Sequence, residues 1–390
     1  MALRVALGGM LALAIAMGVG RFAYTPILPA MQSGTGLGDD GAGLVATLNY
    51  LGYLLGAVAA TRVPKGGVRT GLFRACLVAS VGTTMAMAAV EGVWPWAALR
   101  TVSGFASAGM LILGSAIVLD RLAELGREGL LGLSFAGVGA GIAASGLVAG
   151  ALGEGWRLPW LLLGAGAALL APPVWATVRD PRAVPGAPPP PPAGPVPRPL
   201  AVLILSYACE GAGYVVTATF LVSILARLPE TASVASAAWV VVGLAGLGAT
   251  PLWGALGARI GPRAALALAH LVQAVAIVLP VLAPSGWAAL LGAVGFGGTF
   301  MAITALAFAL ARRVAPGQAG RAIGVLTAAF ALGQMLAPWP AGIAMARTGD
   351  AALPLAAAAG LVAFGAVLLA LVAEPGRARE PGAGGVPGRG

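Results

Sequence analysis

One pattern dominates the chain: about twenty mostly apolar residues, then a short polar loop, repeated about twelve times. About twenty apolar residues is the length an α-helix needs to cross the hydrocarbon core of a bilayer. Inside lipid the backbone must satisfy its own hydrogen bonds, so such a chain folds as a bundle of membrane helices. Charge agrees. Asp, Glu, Lys and Arg make up only 9% of the residues, against roughly 25% in a soluble domain. That is too few to coat a soluble surface of this size. Glycine, at 60 residues, suits helices that pack backbone to backbone in lipid.

The first half holds spans at Val5–Met31, Gly41–Thr61, Gly71–Val90, Trp94–Leu119, Gly129–Leu152 and Arg157–Val178. The second holds Leu200–Leu228, Val234–Ala258, Arg263–Ala283, Gly286–Arg312, Ala319–Ala346 and Ala351–Ala373. Arg4 and the apolar run behind it could open a signal peptide, but the run outlasts such a segment and is read as a retained first helix. A linker over residues 179–199 contains the run Pro188–Pro192, which cannot continue a helix. It divides an N-terminal bundle (1–178) from a C-terminal bundle (200–373). The tail, 374–390, is Gly, Pro and Arg with nothing to pack, and is expected to be disordered.

Basic residues set the orientation. With the N-terminus cytoplasmic, only Arg157, Arg227 and Arg347 fall in outer loops, and Arg21 and Arg100 lie within helices. The other Lys and Arg all face the cytoplasm, which is the positive-inside pattern for a bacterial inner membrane with both termini inside. Topology therefore explains the net charge of +10, and nucleic acid is not an expected partner. Cys76 and Cys209 sit in apolar runs as small hydrophobes. No Cys/His cluster suggests a metal or other cofactor. The expected partners are the bilayer and a small organic solute.

Two six-helix halves joined by a long cytoplasmic linker suggest a transporter built from parallel repeats. The loop after the eighth span reads Gly254-Ala-Leu-Gly-Ala-Arg259-Ile-Gly261-Pro-Arg263. It resembles the gating-loop signature of the major facilitator superfamily, with Ala258 where that family usually has Asp. The glycines permit a tight turn, and Arg259 can cap the carbonyl end of a neighbouring helix. In the first half the equivalent stretch, Gly56 to Arg69, is degenerate and holds no Asp.

Three further strings sharpen the likeness. They are Gly18-Val-Gly-Arg21-Phe-Ala-Tyr-Thr25-Pro26, Phe135-Ala-Gly-Val-Gly-Ala-Gly141 and Glu210-Gly-Ala-Gly213-Tyr214-Val-Val-Thr217. In this order they resemble the YbfB/YjiJ group of major facilitator transporters over nearly the whole chain. The resemblance implies an all-α membrane protein with twelve helices in two pseudosymmetric bundles, acting as a monomeric secondary transporter.

Charges inside a membrane helix cost about 2.5–3.5 kcal/mol each on insertion scales, and often mark function. Arg21 lies roughly 24 Å along its helix and Glu210 roughly 15 Å. Thr25 shares a face with Arg21, and Tyr214 and Thr217 share one with Glu210. If the two helices approach one cavity, Glu210 is a proton-coupling site and Arg21 its partner or a substrate anchor. The competing reading is a permanent ion pair locking the halves, or ordinary helix contacts. Arg100 either resembles the fourth-helix Arg of proton-linked relatives or snorkels to the outer interface. Asn49 with Tyr53, Trp239 and Gln334 are candidate cavity polars, or interhelical hydrogen bonds. His270 is expected to pack rather than to line the cavity. Pro26, Pro29, Pro251, Pro280, Pro338 and Pro340 interrupt or end helices. Gly137, Gly139 and Gly141 resemble an antiporter signature, which mildly favours export; small-residue packing explains them equally well.

The only His, His270, has no Gly-x-Ser-x-Gly elbow beside it, and the chain has no Walker A segment; an enzyme or an ATPase is not expected. No filter-like ring suggests a channel. The expectation is a proton-coupled secondary transporter. An uncoupled uptake facilitator and a non-transporting receptor or scaffold are the alternatives.

Overall fold

The computed structural model describes residues 1–64, 66–153, 155–180, 196–316 and 318–372. The body of the predicted linker and the predicted tail lie outside these residues. Among the described residues the chain forms helices and no strand. The first half comprises α1 (Ala2–Thr35, interrupted), α2 (Asp39–Ala60), α3 (Gly67–Ala86), α4 (Val93–Glu124), α5 (Leu131–Leu152) and α6 (Arg157–Thr177). The second comprises α7 (Arg198–Arg227), α8 (Ala235–Ile260), α9 (Pro262–Leu282), α10 (Gly286–Val314, interrupted), α11 (Ala319–Leu336 continued by Pro338–Thr348) and α12 (Ala352–Ala370).

Eleven helices among the described residues are long and apolar enough to cross a membrane. α3 falls outside that set because Arg69 and Arg74 sit in its first two turns. Large apolar side chains point outward: Leu169 is 79% exposed, Leu282 77% and Trp287 85%. A surface of this kind belongs in lipid. α4 runs past its predicted end at Leu119 because Asp120, Arg121 and Glu124 extend it as a polar turn.

Three helices break, and the causes differ. In α1 a π-wound stretch, Ala14–Val19, leads into a non-helical turn at residues 20–23. Pro26 has no N–H for the Phe22 carbonyl and its ring crowds that carbonyl. Thr25 N–H therefore bonds back to Phe22 O at 3.3 Å, which leaves the Arg21 carbonyl without its normal helical donor. In α11, Pro338 opens the second segment. In α10 the break at Gly298–Thr299 contains no proline. There the Thr299 hydroxyl donates to the carbonyl of Gly295 at 2.7 Å, and Trp253 Nε1 donates to the Gly298 carbonyl at 2.7 Å. Pro251 lies inside the unbroken α8, and Pro280 near the end of α9.

The halves meet along two seams. On one, α5 lies against α8 so closely that a Cβ on Gly139 would strike the Gly243 backbone. Gly137 and Gly141 on the same helix press against the backbone of α1. All three glycines therefore have a packing role. On the other seam, Gly43 of α2 abuts the Pro338 backbone of α11.

Candidate functional site

A cavity of about 590 Å³ lies between the halves. α1, α2, α4 and α5 line one side of it, and α7, α10 and α11 the other; α3, α6, α9 and α12 lie behind. Its mouth, at Thr61 and Arg321, is exposed; its far end, at Arg21, Phe22, Tyr53 and Tyr214, is buried. The mouth is on the side of the basic loops that hold Arg62, Arg312 and Arg313.

Arg21 owes its position to the broken turn of α1. Arg100 holds that turn: Nη1 donates to the Gly20 carbonyl at 2.6 Å and Nη2 to the Arg21 carbonyl at 2.5 Å. Ser103 adds a bond to Gly20 O at 2.7 Å. Asn49 in turn donates to the Arg100 carbonyl at 2.7 Å. Arg100 is 2% exposed, so it does not snorkel; it replaces the donor that the Arg21 carbonyl loses at the break and adds one to the Gly20 carbonyl. Asn49 supports it rather than facing the cavity.

The Arg21 guanidinium reaches the buried end of the cavity. Its Cζ lies 4.1 Å from the Tyr53 ring centre, 4.8 Å from Tyr50 and 5.2 Å from Phe22. These faces offer cation–π attraction. Among the described residues no carboxylate forms an ion pair with Arg21, and its Nε and Nη2 are buried without hydrogen-bond partners. The facing wall is aromatic. Tyr214 stacks with Phe330 at 5.4 Å and with Phe300 at 6.4 Å, and Tyr207 stacks on Phe330 at 4.5 Å. Gln334 donates to the Tyr214 hydroxyl.

Glu210 is not the partner of Arg21. Its side chain turns away from the cavity, into the second half. Its Oε1 accepts from Gln273 Nε2 at 2.6 Å, and Gln273 Oε1 accepts from the Thr299 hydroxyl at 2.9 Å. Glu210 Oε2 lies 4.0 Å from His270 Nε2, and neither atom has a hydrogen-bond partner. His270 Nδ1 is 2.9 Å from the Leu266 carbonyl. A carbonyl only accepts, so the Nδ1 nitrogen carries the hydrogen and a neutral ring presents a bare Nε2 toward Glu210. His270 is packed, as expected, but it also faces the one buried carboxyl of α7. The sequence reading missed this cluster and the tyrosine cage. The available hints were Tyr50 and Tyr53 one turn apart, and His270 and Gln273 one turn apart.

The remaining predicted residues do other work. Thr25 donates across the halves to the Ala218 carbonyl. Trp239 Nε1 donates to Ser145 at 3.3 Å on the α5–α8 seam. Thr217 is buried with its hydroxyl unpartnered. Gly261, with φ +91°, makes the turn in the loop after α8. Gly254 and Arg259 are exposed on α8. It is Arg263, not Arg259, that caps a neighbour, donating to Val372 O at 2.9 Å. In the first half Arg69 takes Asp180 and, at 2.7 Å, Asp120. The acid absent from that loop is thus supplied by other segments.

The end of the interface opposite the mouth is clamped shut. Asp39 on α2 takes both terminal nitrogens of Arg227 on α7, at 2.5 and 2.7 Å. Gln32 on α1 donates to Asp39 at 2.7 Å and accepts from Ser223. The main-chain N–H of Trp339 reaches the Thr47 hydroxyl at 3.1 Å.

Two six-helix halves around one central cavity define a multi-pass membrane protein with the fold of major facilitator transporters. Known structures share this fold. A variant of the nucleoside transporter NupG superposes with a TM-score of 0.71 at 14% identity, over 94% of this chain and 98% of that one. A bacterial homologue of the human lysosomal transporter Spinster, inward-facing and occupied, gives 0.69 at 16% identity, over 95% and 96%. Its inward-facing, unoccupied form gives 0.65 at 17%, over 95% of each chain. No curated protein matches the chain. Residues 13–370 match the family described as uncharacterised MFS-type transporter YbfB, and the chain belongs to that family of transporters.

Proposed function

We propose that this MFS-type transporter is a secondary carrier, moving a small organic solute across a bacterial inner membrane by alternating access. Its termini are cytoplasmic and its driving ion is the proton. The observation that carries this reading is the asymmetry of the cavity. One end is open on the basic-loop side, and the other is sealed by the Asp39–Arg227 clamp and the Thr25–Ala218 bond between the halves. A carrier needs one end closed while the other is open.

The Glu210–His270 pair supports proton coupling. An ionised carboxylate buried without a cation costs several kcal/mol. One proton on Glu210 Oε2 removes that charge and gives the bare His270 Nε2 a donor. Tyr214, one turn along α7 from Glu210, lines the cavity, so the rearrangement that frees the pair can follow solute binding. Export is the favoured direction, supported by the likeness of Gly137–Gly141 to an antiporter signature.

The test is proton flux into proteoliposomes holding a pH-sensitive dye, on addition of candidate solutes. Solute-dependent proton movement in the wild type, lost in Glu210→Gln, is the expected result. Solute flux with no proton movement would point instead to an uncoupled facilitator. Binding of a solute with no flux at all would indicate a receptor.

A further inference from the structure

The buried end of the cavity holds a group that the coupling cluster does not use. Arg21 is 3% exposed, and among the described residues it has no acid. The two nitrogens without partners, Nε and Nη2, share one edge of the guanidinium. That edge binds a planar oxyanion through two parallel bonds. Tyr53, Tyr50 and Phe22 pack around the guanidinium at 4.1–5.2 Å and supply no charge to neutralise it. Arg100, bonded to the Gly20 and Arg21 carbonyls, adds a second positive charge behind the same turn. A buried cation with no acid beside it, at the end of a cavity, is a site for one anionic group.

The rest of the cavity sets the body of the ligand. Met17, Val138 and Phe135 line the cavity from the first half, and the stacked rings of Tyr214, Phe300 and Phe330 from the second. The volume, about 590 Å³, falls in the range that encloses a small organic molecule. We propose that Arg21 binds the oxyanion head of an organic monoanion, a carboxylate or a sulfonate, whose flat apolar body lies against the Tyr214–Phe330 wall. This assignment rests on the carrier reading for its purpose, but its geometry stands on its own.

Three compounds of one shape test it: 1-naphthoate, 1-naphthalenesulfonate and the neutral 1-naphthamide. Their binding to the full-length protein in detergent would be measured by titration calorimetry, for the wild type, Arg21→Gln and Arg21→Lys. The wild type should bind at least one of the anions about tenfold or more tighter than the amide, the ratio one charge-assisted contact supplies. Which anion wins identifies the head group. In Arg21→Gln the preference should vanish while amide binding persists, which also shows that the variant is folded. Arg21→Lys should keep part of the preference. Equal binding of anions and amide to the wild type would overturn the assignment, as would a preference that survives Arg21→Gln or no binding of any of the three. The two proposals fail separately. Anion binding without flux leaves the site standing and removes the carrier, whereas flux of neutral or cationic solutes alone leaves the carrier and removes the site.

Discussion

Arg21 and Glu210 are each a single buried charge near the middle of the first helix of a half, yet the fold uses them in opposite ways. α1 is broken at Arg21, so the side chain leaves the helix at a turn and reaches the cavity with no counterion among the described residues. α7 is unbroken at Glu210, which faces α9, accepts from Gln273 and lies 4.0 Å from His270. The cation is left for something from outside the protein, whereas the acid is enclosed with partners of its own. In the proposed carrier, recognition and coupling sit at separate places, linked through Tyr214, four residues from Glu210 and on the cavity wall.

Replacing Arg100 attacks the Arg21 side of this contrast most severely. Arg100→Leu removes charge-assisted bonds to two buried carbonyls and should cost about 3 kcal/mol or more. Thermal unfolding in detergent reads it, and an unchanged Tm would mean that the broken turn holds itself. Glu210→Gln attacks the other side. It keeps the shape and an acceptor for Gln273 but cannot exchange a proton. Solute binding should persist while the pH dependence of transport flattens, measured as uptake across external pH. A pH profile like that of the wild type would remove Glu210 from coupling. Tyr53→Leu strips a cation–π face of about 0.5–2 kcal/mol from Arg21. Anion affinity should fall by several-fold, with no change in proton coupling. The smallest effect belongs to the clamp. Arg227 is 49% exposed in its pair with Asp39, and solvent screening limits such a pair to about 1 kcal/mol or less. Asp39→Asn should shift the open-in to open-out balance only a few-fold, measured by spin-label distances across the clamped end.

The fold was legible because hydropathy and the basic loops repeat with every span. Arg21 and Glu210 were legible because ionisable groups are rare in membrane helices. Their partners were not. Gln273 lies 63 residues from Glu210, and nothing local marks which polar residue of α9 faces which residue of α7. Placing Arg21 and Glu210 together rested on their two helices approaching one cavity, which ignores the break that turns one side chain into it. The role of Arg100 was hidden for the same reason. Pro26 is visible in the sequence, but the Arg21 carbonyl left free at the break becomes an acceptor for Arg100 on another helix. The break in α10 contains no proline, so composition did not flag it. Asp39 lies at the edge of a loop, and nothing in the sequence pairs it with Arg227, 188 residues on.

The most direct test of the separation is flux of 1-naphthalenesulfonate, the anion of a strong acid and so without a proton of its own, in proteoliposomes with an internal pH dye. Wild type, Arg21→Gln and Glu210→Gln would be measured side by side, with counterflow of labelled sulfonate and the dye signal recorded together. The expected result is loss of both signals in Arg21→Gln, and loss of the dye signal alone, with counterflow kept, in Glu210→Gln. Counterflow that survives in Arg21→Gln, or that disappears together with the proton signal in Glu210→Gln, would contradict the division between a binding cation and a coupling acid.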